Sequence, residues 1–120
     1  MSNRDIGNKW EDIAEKYLKN HGYCILERNY TILSSEIDII AEWESHIVFI
    51  EVKLRNTPWY GHPLETLTKS KRVFLYRGIR AYCMKKNIDI DLCRVDFIGL
   101  LKKEDGTGYR LWHIKWVELF

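Results

Sequence analysis

Three residues of this chain have the types and the spacing to hydrolyse a phosphodiester. Glu51 and Lys53 lie two apart in the apolar run Ile47-Val48-Phe49-Ile50-Glu51-Val52-Lys53-Leu54, and Asp38 sits in a second run, Glu36-Ile37-Asp38-Ile39-Ile40-Ala41. Both runs are rich in β-branched and aromatic residues and read as strands. Side chains alternate faces along a strand, so Glu51 and Lys53 project from the same side. Charged groups are costly to bury unless they are paired or bound to a metal. Hard divalent cations such as Mg²⁺ or Mn²⁺ take oxygen ligands, with one or two carboxylates joined by water and substrate phosphate. Asp38, Glu51 and the carbonyl of Val52 offer three such oxygens. A cation held there would acidify a bound water and neutralise charge on the pentavalent phosphate. Lys53 would orient the attacking water or stabilise the developing anion. The plainer alternative is a Glu–Lys ion pair at a strand end with Asp38 at a turn. The apolar flanks of both runs favour the metal site.

Asp38 and Glu51 can meet only if their strands are neighbours, and the intervening Glu44-Ser45 is a short polar connection suited to an antiparallel hairpin. Upstream, residues 7–21 read as a helix with Trp10, Ile13, Ala14, Tyr17 and Leu18 as its apolar stripe, stopped by Gly22. A first strand follows over Tyr23–Tyr30, with Cys24, Leu26 and Tyr30 expected on one face, and Ser34-Ser35 marks a turn. After Lys53 comes an aromatic loop holding both prolines, Pro58 and Pro63, where Trp59, Tyr60 and His62 could stack on bases or cover a core edge. A long helix is expected from Pro63 or Leu64 to Lys86, with Leu67, Phe74, Leu75, Ile79, Tyr82 and Cys83 inward. Cys93–Lys102 and Tyr109–Leu119 read as two closing strands around the turn Asp105-Gly106-Thr107-Gly108. The order α-β-β-β-α-β-β indicates an α/β fold, a mixed sheet with helices packed against it, its fourth strand parallel to a core strand.

A chain of 120 residues, 46% hydrophobic and 13% aromatic, fits a single folded domain over residues 1–120. No apolar run approaches the roughly 20 residues that cross a bilayer, and the polar start Met1-Ser2-Asn3-Arg4-Asp5 is not a secretory signal. No membrane partner is therefore expected. Three cysteines without CxxC spacing read as small apolar fillers of a reduced, cytoplasmic protein. The net charge of +2 hides a segregation: residues 1–65 hold seven bases against eleven acids, residues 66–88 seven bases and no acid. Acids gather near the candidate metal site and bases on the later helix, which suits a polyanionic partner. On and near that helix, Thr68, Lys71 and Arg72, together with Arg55 just past the site, are the candidate phosphate contacts.

An Asp followed by a strand ending Glu-x-Lys, between two helices, resembles the PD-(D/E)xK nuclease superfamily. More closely, Gly7-x-x-x-Glu11-Asp12-x-Ala14, Gly22-Tyr23, Arg28-Asn29, Glu36-Ile37-Asp38-Ile39-Ile40-Ala41 and Val48-Phe49-Ile50-Glu51-Val52-Lys53-x-Arg55 resemble the YraN-like family of small bacterial proteins. Gly61-x-Pro63, Thr68-x-x-Lys71 and Arg94-x-Asp96 extend the likeness to about residue 100. Ser35 stands where that family usually carries Gly. The resemblance implies a restriction endonuclease-like α-β-β-β-α-β core with an extra C-terminal strand, Asp38 and Glu51 as metal ligands, Lys53 as helper, and Glu11 as a further ligand or water-binding acid. The archaeal Holliday-junction resolvases, similar in fold, imply DNA rather than RNA as partner, branched or structured forms as substrate, and a homodimer as the acting assembly.

Two further readings compete. A nucleic-acid-binding module of nuclease-like fold without turnover would bind in a salt-sensitive way, without metal and regardless of Asp38→Asn. A protein-interaction domain using Trp112, Trp116 and Phe120 would not bind nucleic acid at all.

Overall fold

A computed structural model describes residues 3–58 and 61–120, with side chains described from residue 9 onward. Five strands form one sheet in the order β1-β2-β3-β4-β5. They are β1 (Cys24–Ile32), β2 (Ser35–Trp43), β3 (His46–Arg55), β4 (Cys93–Lys102) and β5 (Tyr109–Ile114). Neighbours are antiparallel except β3 and β4, which run parallel and are joined by the crossover helix α2 (Lys69–Lys86). The first helix, α1 (Asn3–Asn20), covers the opposite face of the sheet. The expected mixed sheet between helices, with the fourth strand parallel to a core strand, is what the chain builds.

Each face has its own core. On the α1 side, Ala14 and Leu18 pack onto Ile39, Ala41, Val48, Ile50, Ile98 and Leu100. On the α2 side, Leu75, Ile79, Tyr82 and Cys83 pack onto Ile37, Ile40 and Phe49. The central strands are buried on both faces, which is why they read as continuous apolar runs rather than alternating ones. Gly22, at φ 87°, ends α1 as expected, its N–H reaching the Lys19 carbonyl while Tyr23 N–H reaches that of Leu18.

Several boundaries differ from the sequence reading, each for a local reason. The long helix is split: Pro63–Thr66 is a 3₁₀ turn, and Thr68 is extended and caps α2 by accepting the Lys71 N–H. Thr-x-x-Lys is thus a helix start rather than a helix interior. A register shift between Ile25 and Glu27 interrupts the start of the β1 ladder, and Cys24 and Leu26 there are exposed rather than inward. Cys24 is accordingly no core filler, whereas Cys83 is buried. Phe74, expected inward on α2, is 48% exposed. The β1–β2 turn is Leu33-Ser34, both at positive φ, and Ser35 opens β2. Ser35 is buried there, its hydroxyl donating to the Phe74 carbonyl, and α2 approaches so closely that a Cβ on Gly78 would lie 2.9 Å from Ser35 Cβ. β5 ends at Ile114, because Trp116 takes a positive φ and the chain turns back, Val117 N–H bonding to the Val95 carbonyl.

Candidate active site

Asp38 owes its position to a twist in two strands. Ile37 and Ile39 are two apart and should share a face, yet Ile37 joins the α2-side core and Ile39 the α1-side core. β2 therefore turns over at Asp38. Opposite it on β1, between the pairs Arg28–Ile39 and Tyr30–Ile37, Asn29 takes a left-handed φ of 49°. The ladder between β2 and β3 also stops at Ile39–Ile50. Beyond that point the Val52 N–H finds no strand carbonyl on β2 and donates instead to Asp38 Oδ2 at 2.8 Å. The strands splay, and the carboxylate fills the gap.

Glu51 follows the paired stretch on β3, on the α2-side face like Phe49. Its Oε1 is buried and has no hydrogen-bond partner. An oxygen in that condition costs on the order of 1–3 kcal/mol unless something else satisfies it. Both carboxyls are pushed upward. Burial raises Asp38 to about 7, outweighing the Val52 N–H bond that favours its anion, with the charges of Glu11 and Glu36 adding and Lys53 opposing. Burial also raises Glu51 well above the carboxylate range, reinforced by Asp38 and Glu36 and opposed by a hydrogen bond from the Asp38 backbone and by Lys71. Two acids that resist ionising side by side are what a divalent cation relieves. A hard-oxygen donor set with one orphaned buried oxygen fits Mg²⁺ or Mn²⁺.

The structure brings together some of the other residues singled out in the sequence and disperses the rest. Lys53 is exposed beside the pair, on the same face as Glu51, as alternation required. Lys71, from the first turn of α2, shares a cavity of about 180 Å³ with Glu36, Glu51 and Ser34. It stands across from the carboxylates as well as on the basic helix, while its ammonium also reaches the Thr66 carbonyl at 3.4 Å. Arg72 turns the other way and donates to the Leu67 carbonyl at 2.8 Å, securing the entry to α2. The Thr68 hydroxyl is engaged as the helix cap. Arg55 ends β3 on the Glu51 face. Glu11 sits 3.5 Å from the Arg28 guanidinium, which also pairs with Asp12 at 2.6 Å and Glu15 at 3.0 Å. Its field reaches Asp38, so Glu11 borders the site from α1. Among the described residues no three Asp, Glu, His or Cys side chains gather as a ready ligand cluster. Asp38 and Glu51 are the pair, and Glu11 belongs to the acids around Arg28. His62 accepts the Leu64 N–H and so caps the 3₁₀ turn. Trp59 and Tyr60 lie outside the described residues.

Reading for catalysis missed a second polar cluster. Arg94 and Asp96, also two apart on one strand, are both buried on the α1 side of β4. Asp96 accepts from Arg94 Nε and Nη2, from Tyr23 Oη and from Trp116 N–H, and lies 2.7 Å from His113 Nε2. Burial would raise its carboxyl, but the His113 and Arg94 bonds outweigh burial and hold it below the usual range. The Arg94 guanidinium also donates to Tyr23 Oη and stacks on Trp43 at 4.7 Å and Trp116 at 5.2 Å. Burial and the Asp96 charge push the Tyr23 phenol up to about 12. The signal was legible as Arg-x-Asp in an apolar strand, the same i, i+2 logic that singled out Glu51 and Lys53.

A mixed sheet between two helices, with an acid at a strand kink facing Glu-x-Lys on the neighbouring strand, is consistent with the restriction endonuclease-like core of the PD-(D/E)xK superfamily. The chain belongs to the family described as "Uncharacterised protein family UPF0102", the YraN-like family, whose model matches residues 10–100. A UPF0102 protein of Clostridium botulinum is 50% identical over 114 residues, covering 94% of this chain and 93% of its own. One from Carboxydothermus hydrogenoformans is 42% identical over 88% and 89% of the two chains, and one from Leifsonia xyli 42% over 84% and 86%. No helix among the described residues is long and apolar enough to cross a membrane.

Proposed function

We propose that this protein is a metal-dependent endonuclease that hydrolyses phosphodiester bonds in DNA, with branched or otherwise structured DNA as its substrate class. The observation that carries the reading is the half-buried Asp38–Glu51 pair, both carboxyls pushed up and the buried Glu51 Oε1 without a partner. Asp38, Glu51 and the Val52 carbonyl would hold Mg²⁺ or Mn²⁺. When bound, such a cation acidifies water and offsets the charge of the phosphate in the transition state.

The chain's own residues supply the rest. Val52 N–H fixes the Asp38 carboxylate by its Oδ2. Lys53 would donate hydrogen bonds that orient the attacking water or stabilise the developing oxyanion from the exposed side. Lys71, across the cavity, and Arg55, along β3, offer cationic hydrogen bonds to phosphates flanking the scissile one. Glu11 and Glu36 keep the local field negative, which favours cation over anion until substrate brings phosphate together with metal.

The test is Mg²⁺- or Mn²⁺-dependent nicking of a panel of duplex, flap and four-way DNA substrates. Wild type is expected to cut at least one member, and Glu51→Ala to lose at least about 10³-fold in rate, the scale on which removal of a catalytic group acts. Should the wild type leave the whole panel uncut with either metal, the nuclease reading fails. Salt-sensitive binding by that silent protein would return the turnover-free binding module as the better account.

A further inference from the structure

The sheet face that carries Glu51 does not stop at the carboxylates. Lys53, Gly99 and Trp112 are register neighbours across β3, β4 and β5, and Arg55, Leu101 and Arg110 form the next row. Both rows lie on the Glu51 side, since Ile98, Leu100, Tyr109 and Leu111 belong to the α1-side core. α2 lies chiefly against β1 and β2, so no helix covers the β4–β5 half of this face among the described residues. At its far end Asn56, Pro58, Leu101, Lys103 and Arg110 line a cavity of about 450 Å³.

We propose that this half-face is a binding track for an unpaired nucleic-acid strand leaving the active site, with Arg110 and Lys103 on its phosphates and Trp112 beneath a base. The inference rests on the nucleic-acid reading of the site and adds what form the strand takes there. Four residues from Glu51 to Arg55 span roughly 13 Å of β-strand. An unpaired strand, which extends further per nucleotide than the 3.4 Å rise of duplex DNA, covers that distance in fewer than about four nucleotides, so the cavity lies within reach of a strand whose scissile phosphate is at Asp38 and Glu51. The occupant is unpaired for two reasons. A concave site of this volume is of the size that takes single small-molecule groups, and Trp112, 37% exposed as a residue, adds aromatic surface of a kind that a duplex, with its base faces hidden, does not use. Lys53, Arg55, Lys103 and Arg110 give the track its positive charge. Two acids also border the cavity, Glu104 and Asp105, and Asp105 Oδ1 already accepts from the Thr107 N–H and hydroxyl.

The experiment is fluorescence anisotropy in EDTA with a dye-labelled short single strand and with a blunt duplex of the same sequence, for wild type, Arg110→Glu and Trp112→Ala. Arg110→Glu is expected to weaken single-strand binding at least about tenfold and to flatten its dependence on log salt by about one unit. Trp112→Ala is expected to weaken it about five- to tenfold with the salt slope unchanged. Duplex affinity should move by less than about twofold in both variants. Arg110 is exposed, so its variant keeps its melting temperature and remains decisive even if Trp112→Ala does not fold. Unchanged single-strand binding, or equal losses on both substrates, overturns the track. Loss of cutting with this selective binding intact would sink the nuclease reading alone, whereas cutting with no such selectivity would sink the track alone.

Discussion

Replacing Asp38 by Asn is expected to make the metal-free protein more stable at pH 8, by on the order of 2–4 kcal/mol, while abolishing metal-dependent cleavage. The folded-state value of about 7 stands above the ordinary 3.8, so the native state binds this proton more tightly than the unfolded chain does. Between about pH 4 and 7 the unfolded chain ionises Asp38 while the native state resists. Stability is therefore lost as pH rises through that window and levels off above it. Three units at about 1.4 kcal/mol each set an upper bound near 4 kcal/mol. Asn removes the ionisation, keeps an oxygen for the Val52 N–H, and withdraws the second-largest cause of the upward shift at Glu51. Denaturant melts in EDTA at pH 5 and pH 8 measure this: the advantage of Asp38→Asn should be less than about half as large at the lower pH as at the higher. A variant less stable than wild type at pH 8 would mean that the carboxylate is not strained there. Stability given up at a half-buried acidic pair is the expected cost of keeping a metal site ready.

Replacing Asp96 by Ala should destabilise the fold by about 3–5 kcal/mol, because Arg94 would remain buried without its counter-charge. Arg94 and Asp96 side chains are 1% and 0% exposed, and the same carboxylate also serves Tyr23, His113 and the Trp116 N–H. Against a total stability of about 5–15 kcal/mol the loss is large. It should appear as a lower denaturant midpoint and as a changed near-ultraviolet dichroism from Trp43 and Trp116, which stack on the guanidinium. Replacing the pair together by apolar residues, Arg94→Met with Asp96→Leu, should recover most of the loss, since a missing ion pair costs far less than half of one. If the single variant melts with the wild type, the Arg94–Asp96 pair does not carry the stability assigned to it.

The carboxylate pair and its strands could be read from the sequence because their signal is local. Glu51 and Lys53 share a face by alternation alone, and a two-residue connection from Trp43 to His46 makes β2 and β3 neighbours. The superfamily likeness rested on the same residues. What escaped was set by the third dimension. Nothing in Glu-Ile-Asp-Ile announces that β2 turns over at Asp38, where Asn29 across the ladder takes a left-handed φ. Lys71 could be placed on a basic helix, but its stand against Glu51 follows from Thr68 starting α2 where it does. Arg72 looked equivalent to Lys71 and is not, because one residue along a helix is a turn of about 100°. Arg28 gathers three acids from α1, a pairing that no local pattern foretells.

Manganese settles the central claim most directly. Crystals of the wild-type protein soaked in Mn²⁺ should show one anomalous peak between the carboxylates of Asp38 and Glu51, absent from crystals of Asp38→Asn. Well-ordered carboxylates with no peak between them at millimolar Mn²⁺, or a peak that survives the substitution, would contradict the metal centre and with it the nuclease.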